Sequence, residues 1–96
     1  MDSSVTRKRM HVIFSGRVQG VGFRYTVCDI AAEYKVTGFI RNVWDGNVEL
    51  VAEGLHDELM DLLHGILNSR LARNIYNNYV EWEQPTGEFH RFGILF

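Results

Sequence analysis

Apolar and polar residues alternate along the chain in distinct rhythms, and the rhythm changes at each glycine cluster. From Met10 to Ser15 the apolar residues run almost unbroken, the pattern of a buried strand. Beyond Gly16, Gly20 and Gly22, the residues Phe23, Val27, Ile30, Ala31 and Tyr34 recur at helical spacing and predict a helix ending near Lys35. Val36 to Asn42 reads as a second strand. Asn47 to Glu53 reads as a third, in which Val48, Leu50 and Ala52 alternate with Asn47, Glu49, Val51 and Glu53, and Gly54 closes it. Asp45-Gly46 between these strands is a hairpin signal, because both residue types tolerate positive φ. Leu59, Leu62, Leu63, Ile66 and Leu67 predict a second helix from about His56 to Asn68. Asp57, Glu58 and Asp61 fall early in it, where the helix dipole favours carboxylates. Ile75 to Gln84 reads as a fourth strand, Pro85-Thr86-Gly87 as a turn, and Phe92 to Phe96 as a short last strand.

This order is β-α-β-β-α-β with an added C-terminal strand. It belongs to the α+β class, a ferredoxin-like sandwich with two helices on one face of a mostly antiparallel sheet of four to five strands. A chain of 96 residues makes one domain, read here as residues 10–96 behind a flexible polar tail over residues 1–9 that carries the basic cluster Arg7-Lys8-Arg9. An apolar share of 46% and a charged share of 23% are those of an ordinary globular domain. The net charge of −2 supplies no positive field for nucleic acid or an anionic membrane, so neither is expected as a partner. No apolar stretch approaches the ~20 residues of a membrane span, and the N-terminus lacks the hydrophobic core of a signal peptide. Cys28, the single cysteine, has no partner for an internal disulfide and reads as a structural thiol. The expectation is a cytoplasmic monomer.

The candidate chemistry is concentrated in Gly16-Arg17-Val18-Gln19-Gly20-Val21-Gly22-Phe23-Arg24, between the first strand and the first helix. A strand-to-helix turn this rich in glycine lets backbone N–H groups converge on an anion beside the positive end of a helix. Arg24 falls in the first turn, where the dipole disfavours a cation, so a bound oxyanion would be its compensation. Its planar fork matches phosphate oxygens.

The same nine residues resemble the signature of the acylphosphatase family, Gly-x-Val-Gln-Gly-Val-x-Phe-Arg, with Gly22 in the variable position. A second block of that family is matched by Gly38, Phe39, Arg41, Asn42, Gly46, Val48 and Gly54. A closing Phe-x-Ile-x-aromatic is matched by Phe92, Ile94 and Phe96, so the resemblance spans about residues 10 to 96. Ile40 replaces a smaller residue, and Val43 stands where many members carry a threonine beside the asparagine. The resemblance implies hydrolysis of the carboxyl–phosphate bond of small-molecule acyl phosphates without metal or cofactor, with inorganic phosphate as product and inhibitor. It implies Arg24 and Asn42 as the catalytic pair and the loop of Arg17, Val18, Gln19, Gly20, Val21, Gly22 and Phe23 as the phosphate cradle.

Within that loop Arg17 is expected to face solvent, with a secondary phosphate contact as the alternative, and Gln19 to bond loop backbone. Arg24 paired on its own helix with Asp29 or Glu33 is the competing reading of that residue. Other phosphate chemistries fail on spacing. Cys28 lies four residues after Arg24, so the Cys-x5-Arg of covalent phosphatases is absent, and Gly22 is followed by Phe23 where a P-loop needs lysine. His11, His56, His64 and His90 fall in different elements and lack ligand spacing, so no metal site is expected. Tyr76, Tyr79 and Trp82 on the fourth strand read as one face packed and one in solvent, with a contact surface for a second copy as the other reading. Two further functions compete: an acylphosphatase-like domain of a carbamoyl-transfer protein of hydrogenase maturation, and a non-enzymatic RNA-binding module. The first carries Gly-Phe-Arg-Pro-Phe where this chain has Gly22-Phe23-Arg24-Tyr25-Thr26. The second needs a basic, aromatic third strand, which Asn47 to Val51 does not provide.

Overall fold

The apolar runs fold as their periods dictate, into strands β1 (Arg7–Gly16), β2 (Val36–Asn42), β3 (Val48–Leu55), β4 (Ile75–Glu83) and β5 (Phe92–Ile94), and helices α1 (Phe23–Ala31) and α2 (His56–Leu67). The structure is a computed structural model and describes residues 6–96. The strands form one sheet in the order β4-β1-β3-β2-β5, antiparallel throughout except for the parallel β2–β5 edge. Met10, Val12 and Phe14 of β1 join Val48, Leu50 and Ala52 of β3 and Ile40 of β2 on one fully buried face. Against it lie Phe23, Val27 and Ala31 of α1 and Leu59, Leu62, Leu63 and Ile66 of α2. Burying each of the larger of these side chains contributes about 1.5–3 kcal/mol, enough to hold both helices on the same face. Among the described residues no helix is long and apolar enough to cross a membrane.

Register decides which residues share an end of the molecule. Phe14 of β1 and Asn42 of β2 both stand opposite Val48 of β3. Because both strands run antiparallel to β3, they run parallel to each other, and the chain leaves both at the same edge. The loop that begins at Gly16 therefore emerges level with Asn42. Phe23, the first residue of α1, is buried with its ring 5.4 Å from that of Phe14, which pins the start of the helix to the same edge.

The larger departures from the sequence expectations are four, beside a β3 that runs through Gly54 to Leu55. β1 starts at Arg7, not Met10, because Arg7, Lys8 and Arg9 pair with Leu55, Gly54 and Glu53 of β3. A strand start made of three cations, of which Arg9 is held by Glu53, Glu83 and Glu88, leaves no apolar trace. The tail expected over residues 1–9 thus loses 7–9 to the sheet, and residues 1–5 lie outside the described ones. Helix α1 stops at Ala31, four residues early, where Glu33 and Tyr34 donate to the carbonyls of Ile30 and Ala31 in tighter turns. Arg70–Asn74 forms a short 3₁₀ helix in a stretch without any sequence signal, started by Ser69, whose Oγ accepts from the N–H of Leu71. β5 ends at Ile94 and leaves Phe96 91% exposed.

Among the described residues the other face of the sheet carries no helix, yet Val51 and Glu53 there are buried. The segment from Gln84 to Arg91 crosses this face on its way from β4 to β5. Glu53 holds it in place, accepting from the N–H groups of Thr86 at 2.8 Å and Gly87 at 3.0 Å and from Arg9 at 3.3 Å. Phe89 packs edge-on against Phe39, with centroids 5.8 Å apart.

Candidate active site

The turn between β1 and α1 opens with Gly16 at a β-bulge. A Cβ at Gly16 would lie 2.4 Å from the carbonyl oxygen of Asn74, so only glycine lets the two backbones approach. At the other end Gly22 caps α1 in the left-handed conformation, φ 73°, and its carbonyl accepts the first helical bond from Thr26 at 3.0 Å. No side chain caps this helix, and its first turn contains no acid. Helix α2 also lacks a side-chain cap but begins with Asp57 and Glu58. The start of α2 is neutralised by its own residues; that of α1 is left with free N–H groups and a cation.

Val18, Gly20, Gly22, Phe23, Arg24, Tyr25 and Asn42 line a single concavity of about 220 Å³. Arg24 is the sole charged residue in that lining. Its guanidinium stacks over the Phe96 ring at 5.3 Å and forms no ion pair with Asp29, Glu33 or any other described carboxylate. The helix-surface pairing open to Arg24 from sequence does not occur. Asn42, the last residue of β2, is exposed, and the hydrogen bonds of the adjoining hairpin run among Gln19, Val43, Asp45, Gly46 and Asn47 without using its carboxamide. An unpaired guanidinium, helix-terminal amides and a free carboxamide around one opening can grip an oxyanion and direct a neutral hydrogen-bonding molecule toward it.

Not every residue of the expected cradle lines this opening. Val18, Gly20, Gly22 and Phe23 do; Arg17, Gln19 and Val21 do not. Arg17 is exposed, as expected, and its N–H is taken by the Asn74 carbonyl at 2.9 Å, which leaves that amide unavailable to a ligand. Gln19 bonds backbone, but the backbone is that of the β2–β3 hairpin: it donates to the carbonyls of Val43 at 2.7 Å and Asn47 at 2.8 Å. It thereby ties the glycine loop to the turn just after Asn42. The Asp45-Gly46 signal for that turn is present in the structure, where the Asp45 carboxylate accepts from the N–H of Asn47 at 3.0 Å.

Three residues near the site were missed from sequence. Tyr25 lines the opening, and its position directly after Arg24 was an available clue. Phe96 meets Arg24 through the tertiary fold. Arg70 reaches the outer side of the glycine loop from the 3₁₀ helix, donating to Thr26 Oγ1 at 2.7 Å and to the Val21 carbonyl at 3.4 Å. Burial, with Asp29 beside it, pushes the Cys28 thiol up, against any role as a nucleophile. His11 converges with Glu81 and Glu83 on the helix-free face, a grouping that spacing did not foretell, but it lies outside the concavity and His11 bonds Glu49 at 2.7 Å and Glu83 at 3.3 Å.

Comparison with known proteins follows the same outline. The family model described as acylphosphatase matches residues 10–94. An acylphosphatase of Pelotomaculum thermopropionicum is 44% identical over 92 residues, covering 96% of this chain and all of that protein. One of Methanospirillum hungatei is 46% identical over 81 residues, covering 83% and 89%. The crystal structure of the Bacillus subtilis acylphosphatase superposes with a TM-score of 0.85 at 34% identity, covering 93% of this chain and 99% of that one.

Proposed function

Because the chain belongs to the acylphosphatase family, we propose that the concavity at the start of α1 hydrolyses the carboxyl–phosphate bond of small-molecule acyl phosphates. Arg24 and the amides of Gly20, Gly22 and Phe23 hold the phosphoryl oxygens, and Asn42 orients the attacking water. The observation that carries this reading is the gathering of Arg24, at the start of α1, and Asn42, at the end of β2, around one opening.

The chemistry needs little more. The leaving group is a carboxylate with a reference pKa of about 4, so it departs without a proton. Water oxygen bonds to phosphorus, the bridging phosphorus–oxygen bond breaks toward the carboxylate, and the water proton passes to a phosphoryl oxygen. Phosphoryl transfer through a loose transition state depends on positioning and on stabilising charge on the equatorial oxygens. Arg24 supplies a full positive charge and the loop amides supply fixed dipoles that need not reorganise during the reaction. The Asn42 carbonyl oxygen accepts from the water and sets its line of approach.

This reading has the domain act as a cytoplasmic monomer, with inorganic phosphate as product and competitive inhibitor. The carbamoyl-transfer alternative gains nothing from the loop, where Tyr25-Thr26 follow Arg24, and a relative matched over its whole length carries the acylphosphatase name. An RNA-binding role is disfavoured by the helix-free face, whose centre is covered by the 84–91 segment. The test is hydrolysis of acetyl phosphate with chelator present, run beside a stable phosphate monoester. Chelator-insensitive turnover of the anhydride alone, inhibited by inorganic phosphate, is expected; equal turnover of the monoester contradicts the reading.

A further inference from the structure

We infer that Arg70 is a positioning residue for the phosphate site: it locks the Val21–Gly22 peptide plane so that the Gly22 N–H faces the opening. The inference rests on the reading of the loop as a phosphate cradle and adds a residue from outside it.

The argument starts from the geometry of one peptide bond. In a trans peptide the carbonyl and the following N–H point in opposite directions. All described peptide bonds here are trans. The Val21 carbonyl points at Arg70, which approaches it with both terminal nitrogens, each at 3.4 Å. Neither Val21 nor Arg70 lines the opening, whereas Gly22 does. The Gly22 N–H is therefore directed away from Arg70, in a residue that lines the concavity. A carbonyl drawn toward a cation also polarises its own peptide, which strengthens the N–H as a donor to an anion.

Arg70 is itself held in place. Its Nη2 donates to Thr26 Oγ1 at 2.7 Å, and Thr26 sits in the first turn of α1 with its N–H on the Gly22 carbonyl. A Cβ at Gly22 would stand 3.2 Å from the same Nη2, so the glycine that permits the left-handed cap also leaves room for the guanidinium. The 3₁₀ helix grips the loop a second time through Asn74, whose carbonyl accepts from Arg17 at 2.9 Å. The loop is braced at both ends by one short segment. Arg73, exposed on the same turn, carries the same charge and forms no side-chain hydrogen bond or ion pair with the described loop residues.

The experiment measures the inhibition constant of inorganic phosphate, together with KM and kcat for acetyl phosphate, in Arg70→Ala, Arg70→Lys, Thr26→Val and Arg73→Ala. Arg70→Ala is expected to raise the phosphate constant and KM about five- to tenfold, the size of one donor's loss, with kcat changed by less than about threefold. Lysine restores part of this, since it can donate but not fork. Thr26→Val gives a smaller rise, and Arg73→Ala leaves both constants unchanged. The Gly22 amide resonance is expected to move on phosphate addition to the unmodified protein and to move less in Arg70→Ala. An Arg70→Ala phosphate constant within about twofold of normal overturns the inference, as does an equal rise in Arg73→Ala, which would reduce the effect to net charge. If Arg24→Ala abolishes turnover in the same series, the cradle reading stands even when the Arg70 inference falls. If Arg24→Ala is also without effect, the cradle itself has failed.

Discussion

Arg9 and Arg24 are both half-buried arginines, and they are treated in opposite ways. Arg9, on the helix-free face, lies within 3.3 Å of Glu53, 3.2 Å of Glu83 and 3.1 Å of Glu88. Arg24 forms no ion pair among the described residues; it rests on an aromatic ring at the edge of an opening lined with amides. The first charge is consumed inside the molecule and binds one chain segment to another. The second is left for something that arrives from solution. A folded protein keeps an uncompensated cation at a helix start only at a cost, so its retention marks the place where an anion is handled.

The largest effects should come from breaking the second region. Arg24→Ala and Asn42→Ala are each expected to lower acyl phosphate turnover by about 10²–10³, the usual result of removing one preorganised donor or positioning group. Their melting temperatures should stay close to that of the unmodified protein, because neither side chain supports the core. Steady-state kinetics beside thermal melts checks both halves of the statement.

Breaking the first region should reverse the pattern. Glu53→Ala removes the acceptor for two backbone amides and leaves Arg9 with less compensation, a loss of about 2–3 kcal/mol. For a domain of this size that lowers the melting temperature by roughly 10 °C or more. Turnover measured well below the melting point should be unchanged.

Acid separates the regions more gently. Burial alone would raise the Glu53 carboxyl, but donation from Thr86, Gly87 and Arg9 outweighs it and holds the group below the ordinary carboxylate value. Glu49 is held low in the same sense, its burial outweighed by Arg41 and His11. A carboxyl whose folded value lies below its unfolded one stabilises the protein above the unfolded value, about 4.3, and that stabilisation is lost as pH falls through the folded value. Denaturation midpoints should therefore fall below about pH 4, and Glu53→Gln should flatten that decline. The smallest effect is expected at Arg17→Ala, since Arg17 is exposed and its amide is already bonded to Asn74. Turnover should change by less than about threefold.

The same contrast explains what could be read from the sequence. The apolar periods of β1, α1, β3 and α2 report the helix-covered face, because burial there is a matter of apolar area. Arg24 and Asn42 were legible through the glycine loop and the second block, and register then brings them to one edge. The polar anchoring was not legible. Nothing local in the sequence distinguishes Glu53, 1% exposed and bonded to a segment more than thirty residues away, from Glu58 on a helix surface. Arg70 was missed for the same reason: its partners Val21 and Thr26 are over forty residues distant. The resemblance placed Arg17 and Gln19 in the cradle; in the fold the Arg17 amide bonds Asn74 and the Gln19 side chain bonds the hairpin, partners that no local pattern names.

The central claim divides one site into a grip and a guide, and a single series separates them: turnover of acetyl phosphate and inhibition by inorganic phosphate, measured on Arg24→Ala and Asn42→Ala. Arg24→Ala is predicted to lose both turnover and phosphate inhibition, whereas Asn42→Ala loses turnover by about 10²–10³ and keeps its phosphate inhibition constant. A folded variant of either kind that turns over acetyl phosphate at the unmodified rate would contradict the account.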